Sequence, residues 1–178
     1  LKLAEIIKKI LPNTFLVLGG PEVSYESLGL MREYQYIDCI VLGEGEETFT
    51  HLLQKIKNDE DFKGIPGVVF RKNEQIISSA PQVVADLNSI PFPYQDEDMA
   101  SLKDKIIYYE SSRGCPFSCQ YCLSSATNGV RFWPLVRVFE DLRFFLRHNV
   151  RQVKFVDRTF NARKDYYLPI LKFLAQQD

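Results

Sequence analysis

Two short segments among the first 58 residues are apolar throughout and alternate with helical patterns, and this alternation constrains the fold more than any other feature. The segments read TFLVLGG and DCIVLG, and each is followed by a stretch of helical character. Strands that are apolar on both faces are typical of a parallel sheet covered by helices on both sides. The sequence therefore predicts an α/β fold, in which residues 1–58 form part of a doubly wound parallel sheet that begins with a helix over 1–11.

The pattern changes after residue 58. The segment GVVFRKNEQIISS predicts two short strands around a Lys-Asn-Glu turn, and the segment LNSIPFPYQDED is a proline-rich acidic connector. Residues 59–105 are therefore predicted to form a hairpin and a linker. The helix that precedes them is predicted to present a single apolar face made of Phe49, Leu52, Leu53 and Ile56.

Strand and helix patterns alternate again from residue 106. The segments IIYYESS and QVKFVD predict two strands, and each is followed by a predicted helix, the first of them over 135–148. Residues 106–178 are therefore predicted to form two β/α units. Pro169 is expected to lie near the first turn of the last helix or to kink it. The apolar residues of these two helices are Val136, Phe139, Leu142, Phe145 and Leu146 in the first, and Tyr166, Ile170 and Leu174 in the second.

Composition and charge limit the class of protein. The chain has 178 residues, of which 46% are hydrophobic and 25% charged, as in ordinary globular domains. Its formal net charge is -1 and it has no run of Lys or Arg, so we expect small-molecule partners rather than nucleic acid or a membrane surface. The apolar runs are much shorter than the ~20 residues that span a bilayer, and a cytoplasmic location is expected. Because the sequence begins at Leu1 within a helical pattern, we expect it to be a fragment of a longer protein.

Three of the four cysteines lie within eight positions, in RGCPFSCQYC. The spacing C-x3-C-x2-C lets a single loop turn the sulfurs of Cys115, Cys119 and Cys122 toward one centre, and thiolates favour soft metals. Structural zinc and the usual iron-sulfur clusters take four protein ligands, so three thiolates leave one metal position open to another molecule. The fourth cysteine, Cys39, lies within an apolar strand and is expected to be a buried hydrophobic residue.

This loop resembles the defining motif of the radical S-adenosylmethionine (radical SAM) family, C-x3-C-x-aromatic-C, with Tyr121 as the aromatic residue. The resemblance implies a 4Fe-4S cluster held by Cys115, Cys119 and Cys122, with S-adenosylmethionine on the open iron. It implies an iron-sulfur oxidoreductase that reductively cleaves S-adenosylmethionine to a 5'-deoxyadenosyl radical, supplied with electrons by a donor such as flavodoxin or ferredoxin. It also implies that the backbone at Tyr121 meets the adenine.

The segment after the strand QVKFVD commonly meets the amino-acid part of S-adenosylmethionine in that family, which here implies Asp157 and Arg158. Both are charged residues directly after an apolar strand, where α/β sheets place ligand sites. The alternative is that they are a helix N-cap and a solvated loop charge. The resemblance assigns no catalytic residue and no substrate.

The segments LGGPEVS and LGEGEETF each follow a predicted parallel strand and begin a helix. With the cysteine loop and the connector IPFPY, they resemble the C-terminal half of the cobalamin-binding (B12-binding) domain that precedes many radical SAM enzymes. The resemblance implies that Gly19, Gly20 and Glu44 lie beside the nucleotide tail of cobalamin. A purely structural turn is the alternative for the glycine pair. The resemblance further implies that residues 106–178 are the first two β/α units of a partial TIM barrel.

Two β/α units cannot bury both faces of such a sheet, so we expect the chain to cover its exposed apolar edges by self-association or by a swapped arrangement. Handled in air, the chain is expected to hold no intact cluster and to turn over nothing. Two other functions stay open: a thioredoxin-like protein that uses Cys119 and Cys122 as a dithiol, and a non-catalytic interaction module that carries zinc or a cluster.

Overall fold

A computed structural model of the chain describes residues 1–126 and 129–177, without the side chains of residues 125 and 126. The chain divides into two compact units, Leu1–Ala85 and Asp86–Asp178. Each unit contains strands and helices, as the sequence predicts for an α/β fold.

The first unit contains a four-stranded sheet of order β1-β2-β3-β4. Its strands are β1 (Val17–Gly19), β2 (Cys39–Val41), β3 (Val68–Lys72) and β4 (Gln75–Ser78). Only β1 and β2 are parallel, because β3 pairs antiparallel with β2 and with β4. Two predictions are therefore corrected: the sheet is mixed rather than parallel, and the hairpin β3–β4 belongs to this sheet rather than to a linker.

The hairpin joins the sheet because its first strand carries apolar residues on both faces. Val69 packs with Met31 and Ile37 on one side of the sheet, whereas Val68 and Phe70 pack on the other side. All three residues of the VVF segment are at most 3% exposed. A strand buried on both faces needs neighbours that cover it, and β2 with its flanking helices supplies them.

The helices of the first unit are less deeply buried than their apolar patterns predict. Thr48 and Leu52 are the buried residues of the helix before the hairpin, while Phe49, Leu53 and Ile56 are 43%, 48% and 39% exposed, so its predicted apolar face is only partly buried. A hydrogen bond from the Thr48 hydroxyl to the carbonyl of Pro66 holds the helix in this orientation. Self-association stays a prediction. The helices are α1 (Lys2–Ile10), α2 (Pro21–Ser24), α3 (Ser27–Glu33) and α4 (Gly45–Lys57).

Among the described residues of the second unit, the strands form two separate pairs. β5 (Ile107–Tyr109) and β8 (Val153–Phe155) are parallel, as the two predicted β/α units require. The strands β6 (Ser112–Cys115) and β7 (Gly129–Phe132) form an antiparallel hairpin that the sequence patterns do not predict. The helices are α5 (Asp96–Leu102), α6 (Leu135–Arg147) and α7 (Lys164–Ala175), with 3-10 turns at Leu87–Ser89 and Leu123–Ala126.

An aromatic cluster fills the core beside α6. Phe145 is 2% exposed and makes ring contacts with Tyr109, Phe92 and Tyr94. Phe92 and Tyr94 come from the predicted linker, so part of that segment packs into the second unit instead of connecting two domains. Aromatic pairs of this kind add about 1 kcal/mol each beyond the area that they bury.

The faces of α6 and α7 agree in part with their patterns. Tyr166 and Ile170 of α7 are buried as predicted, and Pro169 lies inside the helix beyond its first turn. In α6, however, Val136 and Leu146 are 69% and 39% exposed, because the buried face is centred on Val138 and Leu142. None of the helices in the described part of the chain has the length and apolar character needed to cross a membrane.

Candidate metal centre

The cysteine loop connects the two strands of the hairpin β6–β7. Cys115 is the last residue of β6 and pairs with Gly129, the first residue of β7, so Cys119 and Cys122 lie in the loop that joins the two strands. The backbone N–H of Cys122 donates to the carbonyl of Cys119 at 3.1 Å, which closes a tight turn. None of these cysteines forms a disulfide; Cys119 is exposed and the other two are half-buried.

Asp157, directly after β8, holds the first residues of this hairpin. Its carboxylate accepts hydrogen bonds from the backbone N–H of Ser111 at 3.1 Å and from the hydroxyls of Ser111 and Ser112 at 2.7 and 2.5 Å. The two serines are 0% and 2% exposed, so these bonds satisfy polar groups that water does not reach. Asp157 does not cap the next helix, whose N-cap is Arg163. Its predicted contact with S-adenosylmethionine stays a prediction.

A second contact joins the same loop to the cysteines. The hydroxyl oxygen of Thr159 lies 3.2 Å from the sulfur of Cys115. The loop after β8 therefore reaches both ends of β6, through Asp157 at the start and Thr159 at the end. The sequence patterns did not identify Thr159 or the two serines. One signal was present: the serines end the predicted strand IIYYESS, Thr159 follows the predicted strand QVKFVD, and the ends of two parallel strands lie close together.

Tyr166 on α7 holds the residues that directly precede and follow the hairpin. Its hydroxyl oxygen lies 2.7 and 2.9 Å from the carbonyl oxygens of Ser111 and Trp133, and its single proton is shared between these two acceptors. Burial raises the pKa of Tyr166, and the nearby charge of Asp157 acts in the same direction, so the hydroxyl keeps its proton and remains a donor. The helix thereby supports the segments on both sides of the cysteine loop.

A buried hydrogen bond also connects β5 to α6. The hydroxyl of Tyr109 donates to Oδ2 of Asp141 at 2.9 Å, and Nε of Arg137 lies 3.8 Å from the same oxygen. Burial raises the pKa of the Asp141 carboxyl, although the Tyr109 hydrogen bond and the Arg137 charge oppose that shift. The folded chain therefore binds this proton more tightly than the unfolded chain does.

This arrangement predicts a measurable pH dependence. The free energy of unfolding should fall as pH rises from the ordinary Asp pKa through the raised value, because the folded state must then ionise a buried carboxyl. Asp141→Asn should remove this dependence, whereas Tyr109→Phe should lower the free energy of unfolding by about 2 kcal/mol at neutral pH by leaving the carboxylate without its donor. Urea denaturation across the acidic range measures both effects. Parallel pH profiles for the Asn variant and the unsubstituted chain would contradict the assignment.

The remaining predicted positions of the second unit lie at the surface. Tyr121 precedes Cys122 in the loop and is 94% exposed, and Arg158 is also exposed. Nearby in β6, the half-buried Arg113 donates to the carboxylate of Glu110 and lies over the ring of Trp133. Contacts of Tyr121 and Arg158 with S-adenosylmethionine stay predictions.

The donor set fits an iron-sulfur cluster by its chemistry, since three thiols on one loop lie at or near the surface beside the end of a parallel strand pair. The positions of the sulfurs do not yet form a site: within 1–126 and 129–177, no group of three or more His, Cys, Asp or Glu side chains is placed to hold a metal.

The predicted cobalamin positions of the first unit meet at one edge of its sheet. Gly19 pairs with Val41 in the parallel pair, so the turns after β1 and β2 lie side by side. Gly19 and Gly20 are exposed, and Gly20 has a φ of +95°, which favours glycine. Their exposed backbone leaves room for a ligand at the first turn.

The second of these turns is covered by another segment of the chain. Gln82 forms a bridge with Gly43 and donates to the carboxylate of Glu47 at 2.7 Å. The backbone N–H of Val84 donates to Oε2 of Glu44 at 2.8 Å. Glu44 therefore supports the fold here, and its predicted contact with cobalamin stays a prediction.

Comparison with known proteins identifies relatives along nearly the whole chain. No protein-family model matches the chain. It is 32% identical to an uncharacterized methyltransferase of Pyrococcus horikoshii, over 98% of the chain and 40% of that protein. It is 29% identical to the cobalamin-dependent radical SAM methyltransferase TokK of Streptomyces tokunonensis, over 90% of the chain and 25% of that protein.

A solved structure shows the same fold. The cobalamin-dependent S-adenosylmethionine radical enzyme OxsB, solved with aqua-cobalamin and S-adenosylmethionine bound, matches 99% of the chain with a TM-score of 0.74 at 15% identity. The match covers 26% of OxsB, so the chain spans much less than the full length of the proteins that it resembles. The cysteine motif, the fold and these relatives agree: the chain belongs to the radical SAM family, in the class with a cobalamin-binding-type domain.

Proposed function

We propose that Cys115, Cys119 and Cys122 hold a 4Fe-4S cluster and that the chain forms part of a radical SAM methyltransferase. The observation that carries this proposal is the C-x3-C-x-Tyr-C loop, mounted between β6 and β7 beside the end of the parallel pair β5–β8. Methyl transfer is proposed as the reaction class because both sequence relatives named above are methyltransferases.

The residues around the loop have separable roles in this proposal. When bound, the cluster supplies the electron that cleaves S-adenosylmethionine, and the protein positions the cofactor. Tyr121 offers backbone and an exposed ring to the adenine, and Arg158 offers an exposed guanidinium to the carboxylate of the cofactor. Asp157 holds β6 in place through Ser111 and Ser112. An electron donor such as flavodoxin or ferredoxin would reduce the cluster.

Cobalamin is the second proposed cofactor, and its nucleotide tail would lie against Gly19 and Gly20. The support is local: both glycines are exposed at the carboxyl end of β1, where ligands bind in open α/β sheets. In this chain Glu44 would take part only if the segment around Gln82 and Val84 moved away from the second turn.

The alternative dithiol function gains no support from the loop. A catalytic thiol pair is activated at the beginning of an α-helix, whereas the residues that follow Cys122 form a 3-10 turn, Leu123–Ala126. Cys115 would also have no role in a mechanism that uses only Cys119 and Cys122.

Anaerobic reconstitution of the chain with iron and sulfide tests the proposal. We expect about four iron atoms per chain, and an electron paramagnetic resonance signal of the reduced cluster that changes when S-adenosylmethionine is added. Stoichiometric zinc without iron uptake would support the interaction-module function instead. A reversible disulfide between Cys119 and Cys122 in a chain that takes up no iron would support the dithiol function.

A further inference from the structure

The loop after β8 contacts Cys115, one of the three cysteines proposed to hold the cluster. Asp157 is anchored by three hydrogen bonds to the buried Ser111 and Ser112. Thr159 follows two residues later on the same turn, and its hydroxyl is 3.2 Å from the sulfur of Cys115. The hydrogen bonds of Asp157 therefore restrict the position of Thr159. They keep its hydroxyl beside the sulfur of Cys115, at the end of β6.

The direction of this hydrogen bond depends on the state of the sulfur. A hydroxyl and a thiol can each donate or accept. A cysteine that binds a metal is a thiolate, which has no proton and can only accept. Once Cys115 holds iron, Thr159 must be the donor.

We propose that Thr159 is a positioning residue that donates a hydrogen bond to the Cys115 thiolate and thereby raises the reduction potential of the cluster. The inference rests on the proposed function, because it requires the cluster at Cys115. Reduction adds one electron, and part of the added charge resides on the sulfur ligands, so a hydrogen bond to sulfur is stronger in the reduced state. The bond therefore stabilises the reduced cluster more than the oxidised one.

The surroundings of the pair strengthen this effect. Cys115 and Thr159 are both half-buried, and a hydrogen bond that is partly shielded from water is electrostatically stronger than an exposed one. Tyr166 also hydrogen-bonds the carbonyl of Ser111, so the residue before β6 is held by α7 as well as by the loop after β8. The contact thus joins a fixed strand to a fixed turn.

The test compares midpoint potentials of the reconstituted chain and its variants. In a titration followed by electron paramagnetic resonance, dithionite supplies the single electron that reduces the cluster. Thr159→Val removes the hydroxyl at nearly constant volume and should shift the midpoint to a more negative potential. Thr159→Ser keeps the donor and should restore it. Thr48→Val is the matched control: the same substitution removes a hydroxyl that donates to the carbonyl of Pro66 in the first unit, and should lower stability but leave the potential unchanged.

The outcomes separate the inference from the proposed function. Equal midpoints in the Val variant and the unsubstituted chain overturn the inference and leave the cluster assignment standing. An equal shift in Thr48→Val overturns it as well, because the shift would then not depend on a hydroxyl beside Cys115. Failure of the unsubstituted chain to bind iron overturns both. If the Val variant does not fold, Thr159→Ala carries the same expectation.

Discussion

Replacing Gly114 with alanine is expected to disrupt the hairpin β6–β7 and to lower the free energy of unfolding by about 3 kcal/mol or more. A Cβ at this position would lie 2.2 Å from the carbonyl oxygen of Gly129. The obstacle is backbone on the paired strand, so no rotation of a side chain can relieve the overlap. Gly114 also has a φ of +104°, a conformation that residues with a Cβ rarely adopt. The two strands must therefore separate.

Gly129→Ala is the matched control for this prediction. Gly129 also has a positive φ, +79°, but a Cβ there meets nothing within 4 Å. Its substitution should cost about 1 kcal/mol of backbone strain and leave the strand pair intact. Urea denaturation of both variants measures the difference. If the two alanine variants unfold at the same urea concentration, the predicted overlap between a Cβ at position 114 and the carbonyl of Gly129 is contradicted.

This hairpin illustrates what the sequence could not predict. Strand β7 contains four residues, begins with a glycine and has no strong alternation of polar and apolar side chains. Its partner β6 includes Gly114 and follows directly on a segment already predicted as a strand. The pairing depends on the close backbone approach at Gly114, which is a property of two strands together and not of either pattern alone.

The mixed sheet of the first unit has a similar explanation. The residues of β3 and β4 predict a hairpin, and the structure contains one, but a hairpin pattern does not reveal which strand it will join. Val69 pairs with Ile40 of β2, almost 30 residues earlier in the chain, and both side chains are buried in the same apolar cluster. Local patterns predicted the elements, whereas their partners depended on contacts between distant residues.

The candidate site divides in the same way. The spacing of the cysteines and the position of Asp157 after a strand follow from local sequence, and the sequence identified both. The role of Asp157 as an anchor could not be predicted, because it depends on Ser111 and Ser112, more than 40 residues away. Glu44 shows the reverse: its position in a glycine-containing turn favours a ligand, but a distant segment binds its carboxylate through Val84.

Replacing Cys119 with alanine is expected to reduce iron uptake from about four atoms per chain to nearly none. Three protein thiolates are needed to hold the cluster, and the two that remain are not enough to keep it bound. Cys119 is exposed, so its substitution should change the free energy of unfolding by less than about 0.5 kcal/mol. Iron analysis and urea denaturation of the same preparation measure the two effects independently.

Cys39→Ala should produce the opposite pair of results. Cys39 is fully buried in β2, and burial, with the charge of Asp38 acting in the same direction, raises its pKa to about 12. Its thiol is therefore a packed apolar group, and its loss should lower the free energy of unfolding by about 1 kcal/mol while iron uptake is unchanged. A chain that loses iron with Cys39→Ala but keeps it with Cys119→Ala would contradict the assignment of the cluster to the loop. Since the two substitutions remove the same atom from one buried and one exposed site, only the position of the sulfur distinguishes them.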